Sequence, residues 1–226
     1  MPTSSANLYP SPKYLKDQAY EQIKRDILSG QLASGVLLSE RSLAERLQLG
    51  KAPIRDAINR LRQENYLSVA PQMGIMVKPL TPKDVADTFE ARVIIEPQIV
   101  KRLAGHLTPS HRSILEANLE QQKSCIDRGQ ATEFVKWDVE FHMALVRAHG
   151  NADLVRMMER ICERTFQVIS SAFDGSVTAL SPAFKAHKSI FTAILRGDAS
   201  SAEVRMNKHI TRTRDLKAPV DSNPNE

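Results

Sequence analysis

Apolar positions recur every third or fourth residue along most of the chain, interrupted once by a short alternating stretch. Leu15, Ala19, Ile23 and Ile27 predict a first helix over 15–29, stopped by Gly30. GQLASGVLLSE shows no period and reads as a loop leading to Ser39, a suitable N-cap. Leu43, Ala44 and Leu47 form the inner face of a second helix. A turn at Gly50 opens a third, with Pro53 in its first turn, where a missing N–H does no harm. Ile54, Ala57, Ile58 and Leu61 are its buried stripe. LSVA and GIMVK then alternate as two strands around Pro71–Gly74. Helix, tight turn, helix and hairpin within Ser39–Pro79 is the order of a winged helix-turn-helix, whose second helix enters a DNA major groove.

From Thr81 onward the period is helical throughout. Helices are expected over 82–106, 110–128, 131–148, 153–173, 182–196 and 199–217, punctuated by LTPS, Gly129, Gly150, the loop DGSVTALSP and Gly197. Short connections between them predict an antiparallel bundle. The expected fold class is therefore an N-terminal winged helix-turn-helix followed by an all-α antiparallel bundle of six to seven helices. The expected boundaries are a disordered start over 1–12, a reader domain over 13–80, the bundle over 81–217 and a disordered tail over 218–226.

Composition sharpens the division. Of the 226 residues, 42% are hydrophobic, enough to bury a core in each part. Residues 1–80 hold 11 Lys/Arg against 7 Asp/Glu, while the remainder hold 20 against 19, so the basic excess lies with the expected reader. No apolar run has the length of a membrane helix, and the first residues lack a secretory h-region, so no membrane partner and a cytoplasmic location are expected. Cys125 and Cys162 lack CxxC spacing and read as buried, reduced thiols.

Lys51, Arg55, Asn59 and Arg62 form a polar strip beside the apolar stripe of the third helix, suited to phosphates and base edges or to plain solvation. In the bundle, polar groups interrupt core stripes. Asp138 and His142 share a face with Phe134, Phe141 and Leu145; His187 lies with Phe184, Phe191 and Ile194; His209 lines up with Ala202 and Met206. His187 and His209 stand at similar distances from Gly197, hence at similar height in a helical hairpin. One aspartate and three imidazoles suit a divalent cation such as zinc, nickel or manganese, or else a structural polar network.

The run from ILSGQLASGVLLSERSLAERLQLGKAPIRDAINRLRQENYLSVAPQMGIMV resembles the N-terminal domain of GntR-family transcription regulators nearly end to end. That resemblance puts DNA contacts at Arg41, Lys51, Ala52, Arg55 and the wing around Gly74, where a bare backbone can approach a phosphate. The chain has Gly50, Lys51 and Ala52 where the family usually has Ser-Arg-Thr. Lysine keeps the charge without arginine's bidentate fork onto guanine, so the usual base preference does not carry over automatically.

The R-x-x-x-E-P run at Arg92, D-V-E-F-H, F-K-A-H-K-S-I-F-T-A-I-L-R-G-D and M-N-K-H-I resemble the FCD effector domain of FadR-type members. This implies metal ligands at Asp138, His142, His187 and His209, with remaining positions open to a small carboxylate effector. Arg92 then either pairs with that carboxylate or forms an i, i+4 ion pair with Glu96. The resemblance implies a homodimer on double-stranded operator DNA, by default a repressor, and not an enzyme. The alternatives are a metal-dependent hydrolase with a DNA-binding appendage, for which no general base stands out, and a regulator to which the metal itself is the signal.

Overall fold

The computed structural model describes residues 15–70, 74–171 and 180–217. The expected disordered ends, the hairpin turn at 71–73 and most of the DGSVTALSP loop lie outside the described residues. The chain divides into two compact units, 1–79 and 80–226.

The first unit runs α1 (Leu15–Leu28), β1 (Leu37–Leu38), α2 (Glu40–Leu47), α3 (Lys51–Gln63), β2 (Leu67–Ala70) and β3 (Gly74–Val77). Ser39 caps α2 reciprocally with Ser42, each side chain accepting from the other's backbone N–H. The α2 helix ends at Gln48, which takes a left-handed conformation. Ala19, Ile23 and Ile27 of α1 close over Leu43 and over Ile54, Ala57, Ile58 and Leu61, a single apolar core. A polar brace joins α1 to α3: Lys24 Nζ donates to the Tyr20 hydroxyl at 2.8 Å, which donates to Glu64 at 2.6 Å.

The segment read as a loop before Ser39 contains a strand. Leu37 and Leu38 pair antiparallel with Met76 and Ile75, so the wing is three-stranded in the order β1-β3-β2. Two residues are too few to show alternation, and their pairing is long-range in sequence. Gly74 opens β3 with φ +99, and a Cβ there would stand 3.2 Å from the Leu38 carbonyl oxygen. Its bareness therefore also serves the approach of β1, a need that the local sequence does not reveal.

The second unit consists, among the described residues, of six helices: α4 (Pro82–Leu103), α5 (Pro109–Asp127), α6 (Ala131–His149), α7 (Ala152–Ser171), α8 (Ser181–Leu195) and α9 (Ala199–Lys217). Thr81 and Thr108 cap α4 and α5, each accepting from the backbone N–H three residues on. Phe89, Val100, Leu115, Phe141, Leu145, Met158, Ile190, Ile194, Met206 and Ile210 belong to one continuous core. Gly105 and Gly197 let the end of α4 meet the α8–α9 turn closely: a Cβ on Gly105 would lie 3.5 Å from the Gly197 Cα, and Gly105 N–H donates to Ile194 O at 2.9 Å. That contact seats the α8–α9 hairpin, and the hairpin sets the height of its two histidines.

Candidate metal centre and nucleic-acid interface

Asp138 and His142 stand one turn apart on α6, facing inward because Phe134, Phe141 and Leu145 occupy the same buried face. His187 projects from α8 and His209 from α9, both from core positions. One ligand atom from each of the four lies within 4.8 Å of every other, and all four residues are buried. His209 Nε2 is 3.2 Å from both His187 Nε2 and His142 Nε2, and His187 Nε2 is 3.5 Å from Asp138 Oδ1. Donors about 2.0–2.2 Å from one shared ion at tetrahedral or octahedral angles stand about 2.9–3.5 Å apart. Those three separations match that spacing, and with the remaining pairs within 4.8 Å the four residues could hold a cation. The stack of His187 on Phe141, centroids 4.4 Å apart, helps hold the ring.

The outward nitrogens are committed too. His187 Nδ1 lies 2.8 Å from Gln122 Oε1, so the ring must donate there and its Nε2 is left with a lone pair. Gln122 is oriented in turn by donating to Asn118 Oδ1 at 2.7 Å, while Asn118 donates to the Trp137 carbonyl at 3.1 Å. His142 Nδ1 lies 2.5 Å from Glu96 Oε2, which fixes the same tautomer. Burial alone would raise the Glu96 carboxyl, but Arg92 and then His142 overcome this and hold it well below the usual carboxylate range. Burial, reinforced by the neighbouring imidazoles, keeps His187 and His209 well below their ordinary value, hence neutral and able to ligate. Burial also raises the Asp138 carboxyl, against the pull of His142 and Arg92.

Arg92 is 1% exposed, and its Nε donates to Glu96 Oε1 at 2.6 Å. Of the two roles open to it from sequence, the ion pair with Glu96 is present. Yet Nη2 of the same guanidinium is buried without a hydrogen-bond partner among the described residues. A buried donor left bare is costly. Arg92 Nη2 is thus a donor aimed at no acceptor among the described residues.

Glu96, Gln122 and Asn118 complete the centre and were not read as part of it. Their signal was available, because Asn118 and Gln122 fall in the buried face of α5 with Leu115, Leu119 and Cys125. They are polar interruptions of a core stripe, as the histidines are. Trp137 packs partly buried against Cys125, Phe134 and Leu180.

On the first unit, Lys51, Ala52 and Arg55 lie exposed on the opening turns of α3, and Arg41 lies exposed on α2. Arg55 donates through Nε to Glu40 Oε1 at 3.1 Å and through Nη2 to Glu40 Oε2 at 3.0 Å. That hydrogen bonding, aided by the charges of Arg55 and Lys51, lowers the Glu40 carboxyl. The fork tethers the guanidinium at the start of the helix. Arg41 pairs with Glu45 at 2.8 Å, both ends solvated. Asn59 and Arg62 are exposed along the same helix, and Gly74 lies in the wing strand described above.

Two families of known domains match. The gntR family of bacterial regulatory proteins matches residues 15–77, and the FCD domain matches residues 87–212. Among curated proteins, the chain is 28% identical over 208 residues to an uncharacterized HTH-type transcriptional regulator, YdfH, of Escherichia coli O6:H1, covering 92% of this chain and 90% of that one. It is 28% identical over 196 residues to the HTH-type transcriptional repressor RspR of Escherichia coli K12, covering 87% and 86%. Among solved structures, McbR/YncC of E. coli shares the fold with a TM-score of 0.78 at 20% identity, over 90% of this chain and 96% of that one.

Proposed function

This chain belongs to the gntR family of bacterial regulatory proteins and carries the FCD domain, and from that premise we propose that a small organic acid, held at a divalent metal in the bundle, sets its grip on operator DNA. It is a DNA-binding transcription regulator and not an enzyme. The relative RspR is named a repressor, and repression is the sign assigned to this chain as well.

What carries the reading is the centre itself. Four buried ligand atoms converge at cation spacing, two imidazoles have their tautomers set from outside, and a buried guanidinium edge lacks a partner. Asp138, His142, His187 and His209 would hold zinc, nickel or manganese, and Arg92 Nη2 would meet the effector carboxylate. The bound metal would supply Lewis acidity toward that carboxylate. Arg41, Lys51, Ala52, Arg55 and the Gly74 wing would meet the operator, in a homodimer whose recognition helices read half-sites about one helical turn apart. Its place of action would be the cytoplasm, where the chromosome lies; none of the described helices is long and apolar enough to cross a membrane. The acid must prefer one of two DNA-binding states of the dimer, since equal affinity for both would shift nothing.

The test is retention of a DNA fragment selected by the purified protein from its own genome. Fragment binding is followed after chelation, after reloading with Zn²⁺, and across a panel of small mono- and dicarboxylates. One class of acid should release the fragment from metal-loaded wild type and fail with Arg92→Lys. Retention indifferent to chelation and to every acid would overturn the reading; a response to metal alone would make the metal the signal instead.

A further inference from the structure

Glu96 serves both halves of the centre at once. Fully buried on α4, its Oε1 accepts from Arg92 Nε at 2.6 Å and its Oε2 accepts from His142 Nδ1 at 2.5 Å. Both partners donate to it: arginine has no acceptor, and a carboxylate oxygen 2.5 Å from His142 Nδ1 and already paired with a guanidinium offers lone pairs, so the imidazole supplies the N–H. We infer that Glu96 is a positioning residue that couples the cation subsite to the anion subsite, assigning the His142 tautomer with one oxygen and anchoring the Arg92 fork with the other. This rests on the proposed metal centre and adds to it a link between metal affinity and anion response.

The inference follows from counting acceptors. With Nδ1 protonated, His142 turns a lone pair at Nε2 toward His209 Nε2, 3.2 Å away, which is the orientation a ligand needs. With Nε engaged, the guanidinium is held through that nitrogen, and Nη2 remains the bare donor. A glutamine at 96 has one acceptor and one donor. If its carbonyl faces Arg92, its NH₂ faces His142 Nδ1 and forces the proton onto Nε2, removing a ligand. If it is flipped, its NH₂ opposes the Arg92 N–H and displaces the fork. No orientation serves both partners. Gln122 offers a built-in contrast: it positions His187, and its amide NH₂ is directed to Asn118 Oδ1 and the Trp137 carbonyl.

The experiment uses the full chain stripped of metal. Histidine ¹⁵N spectra of metal-free wild type should show His142 in the Nδ1–H tautomer; Glu96→Gln should either show Nε2–H or, once loaded with Zn²⁺, lose the change that acetate causes in the spectrum of loaded wild type. Zn²⁺ affinity, measured by competition with a chromophoric chelator, should fall about 10–100-fold where the tautomer changes, the range typical for removing such a partner. Gln122→Leu should weaken Zn²⁺ binding yet preserve the change that acetate causes in the Zn²⁺-loaded protein, which a generic loosening of the bundle would not. An Nε2–H tautomer in wild type overturns the inference without any variant having to fold. A Glu96→Gln variant with unchanged tautomer, Zn²⁺ affinity and acetate response overturns it alone. A wild type that binds no Zn²⁺ overturns the metal centre and this link with it.

Discussion

Replacing His209 by alanine probes the centre at its middle atom, because His209 Nε2 lies 3.2 Å from the Nε2 of both other histidines. The substitution also removes a buried ring, and a void of that kind costs about 2–5 kcal/mol whether or not a metal ever binds. Absolute stability is therefore a poor readout. The informative quantity is the increment that metal adds. A ligand that binds only the native state at about 100 times its Kd stabilises by about 2.7 kcal/mol. If losing one of four ligands weakens binding about 100-fold, the same Zn²⁺ concentration leaves about 0.4 kcal/mol by the same relation. At about 2–4 °C per kcal/mol for a chain of this size, the metal-induced rise in Tm should shrink from about 5–11 °C to about 1–2 °C. Differential scanning calorimetry of chelator-stripped protein, with and without Zn²⁺, measures this directly. The two compact units supply an internal standard: metal should move the melting of the bundle and leave that of the winged unit in place. Elemental analysis of the same samples should show less bound metal in the variant. An undiminished Zn²⁺ increment in His209→Ala would refute the ligand set.

Arg55→Ala should weaken operator retention by about 1–3 kcal/mol per half-site in a mobility-shift titration, while thermal stability changes by less than about 1 kcal/mol because the Glu40 pair is solvent-exposed; unchanged retention would remove Arg55 from the groove. Gly74→Ala should cost the winged unit about 1–3 kcal/mol, through a φ of +99 and the 3.2 Å approach to Leu38 O, read from its melting transition and leaving Zn²⁺ binding untouched. Stability of the metal-free bundle should fall as pH drops below about 6.5, because the unfolded chain then protonates histidines that burial keeps neutral in the native state. His187 and His209 each contribute up to about 1.4 kcal/mol per pH unit, and Asp138, whose raised carboxyl takes up a native-state proton, offsets part of this at lower pH; stability that rises between pH 7 and pH 5 would contradict the burial of these rings.

The fold class was legible because its elements announce themselves locally. The stripe of Ile54, Ala57, Ile58 and Leu61 and the caps at Ser39 and Thr81 are written in adjacent residues. What escaped depends on residues far apart. The strand at Leu37–Leu38 exists only because β3 is beside it, and the closeness of Gly74 to Leu38 follows from that pairing. The candidate centre was legible where a polar side chain broke an apolar stripe and carried distinctive chemistry, as histidine does. Gln122 and Asn118 broke a stripe in the same way, but amides in a core have many ordinary partners. Glu96 was visible as a neighbour of Arg92 one turn away; its reach to His142, 46 residues on, was not.

Spacing left a metal site and a structural polar network as equals, and the structure explains the tie. The same atoms satisfy either. Without a cation, a protonated Asp138 faces the His187 Nε2 lone pair across 3.5 Å, and His209 can donate to His142 Nε2 at 3.2 Å; burial, by raising the Asp138 carboxyl, favours that arrangement. A divalent ion replaces those protons with its own charge and leaves Gln122 and Glu96 bonded as before. The histidine cluster therefore does not discriminate between the two readings, and Arg92 does. A network built only for structure has no use for a guanidinium whose buried Nη2 lacks a partner among the described residues, since burying an unpaired donor is among the costlier things a core can do. On the proposed reading, a carboxylate effector would supply the acceptor that Arg92 Nη2 lacks. Arg92 therefore weighs the balance toward a centre that takes an ion and then an anion.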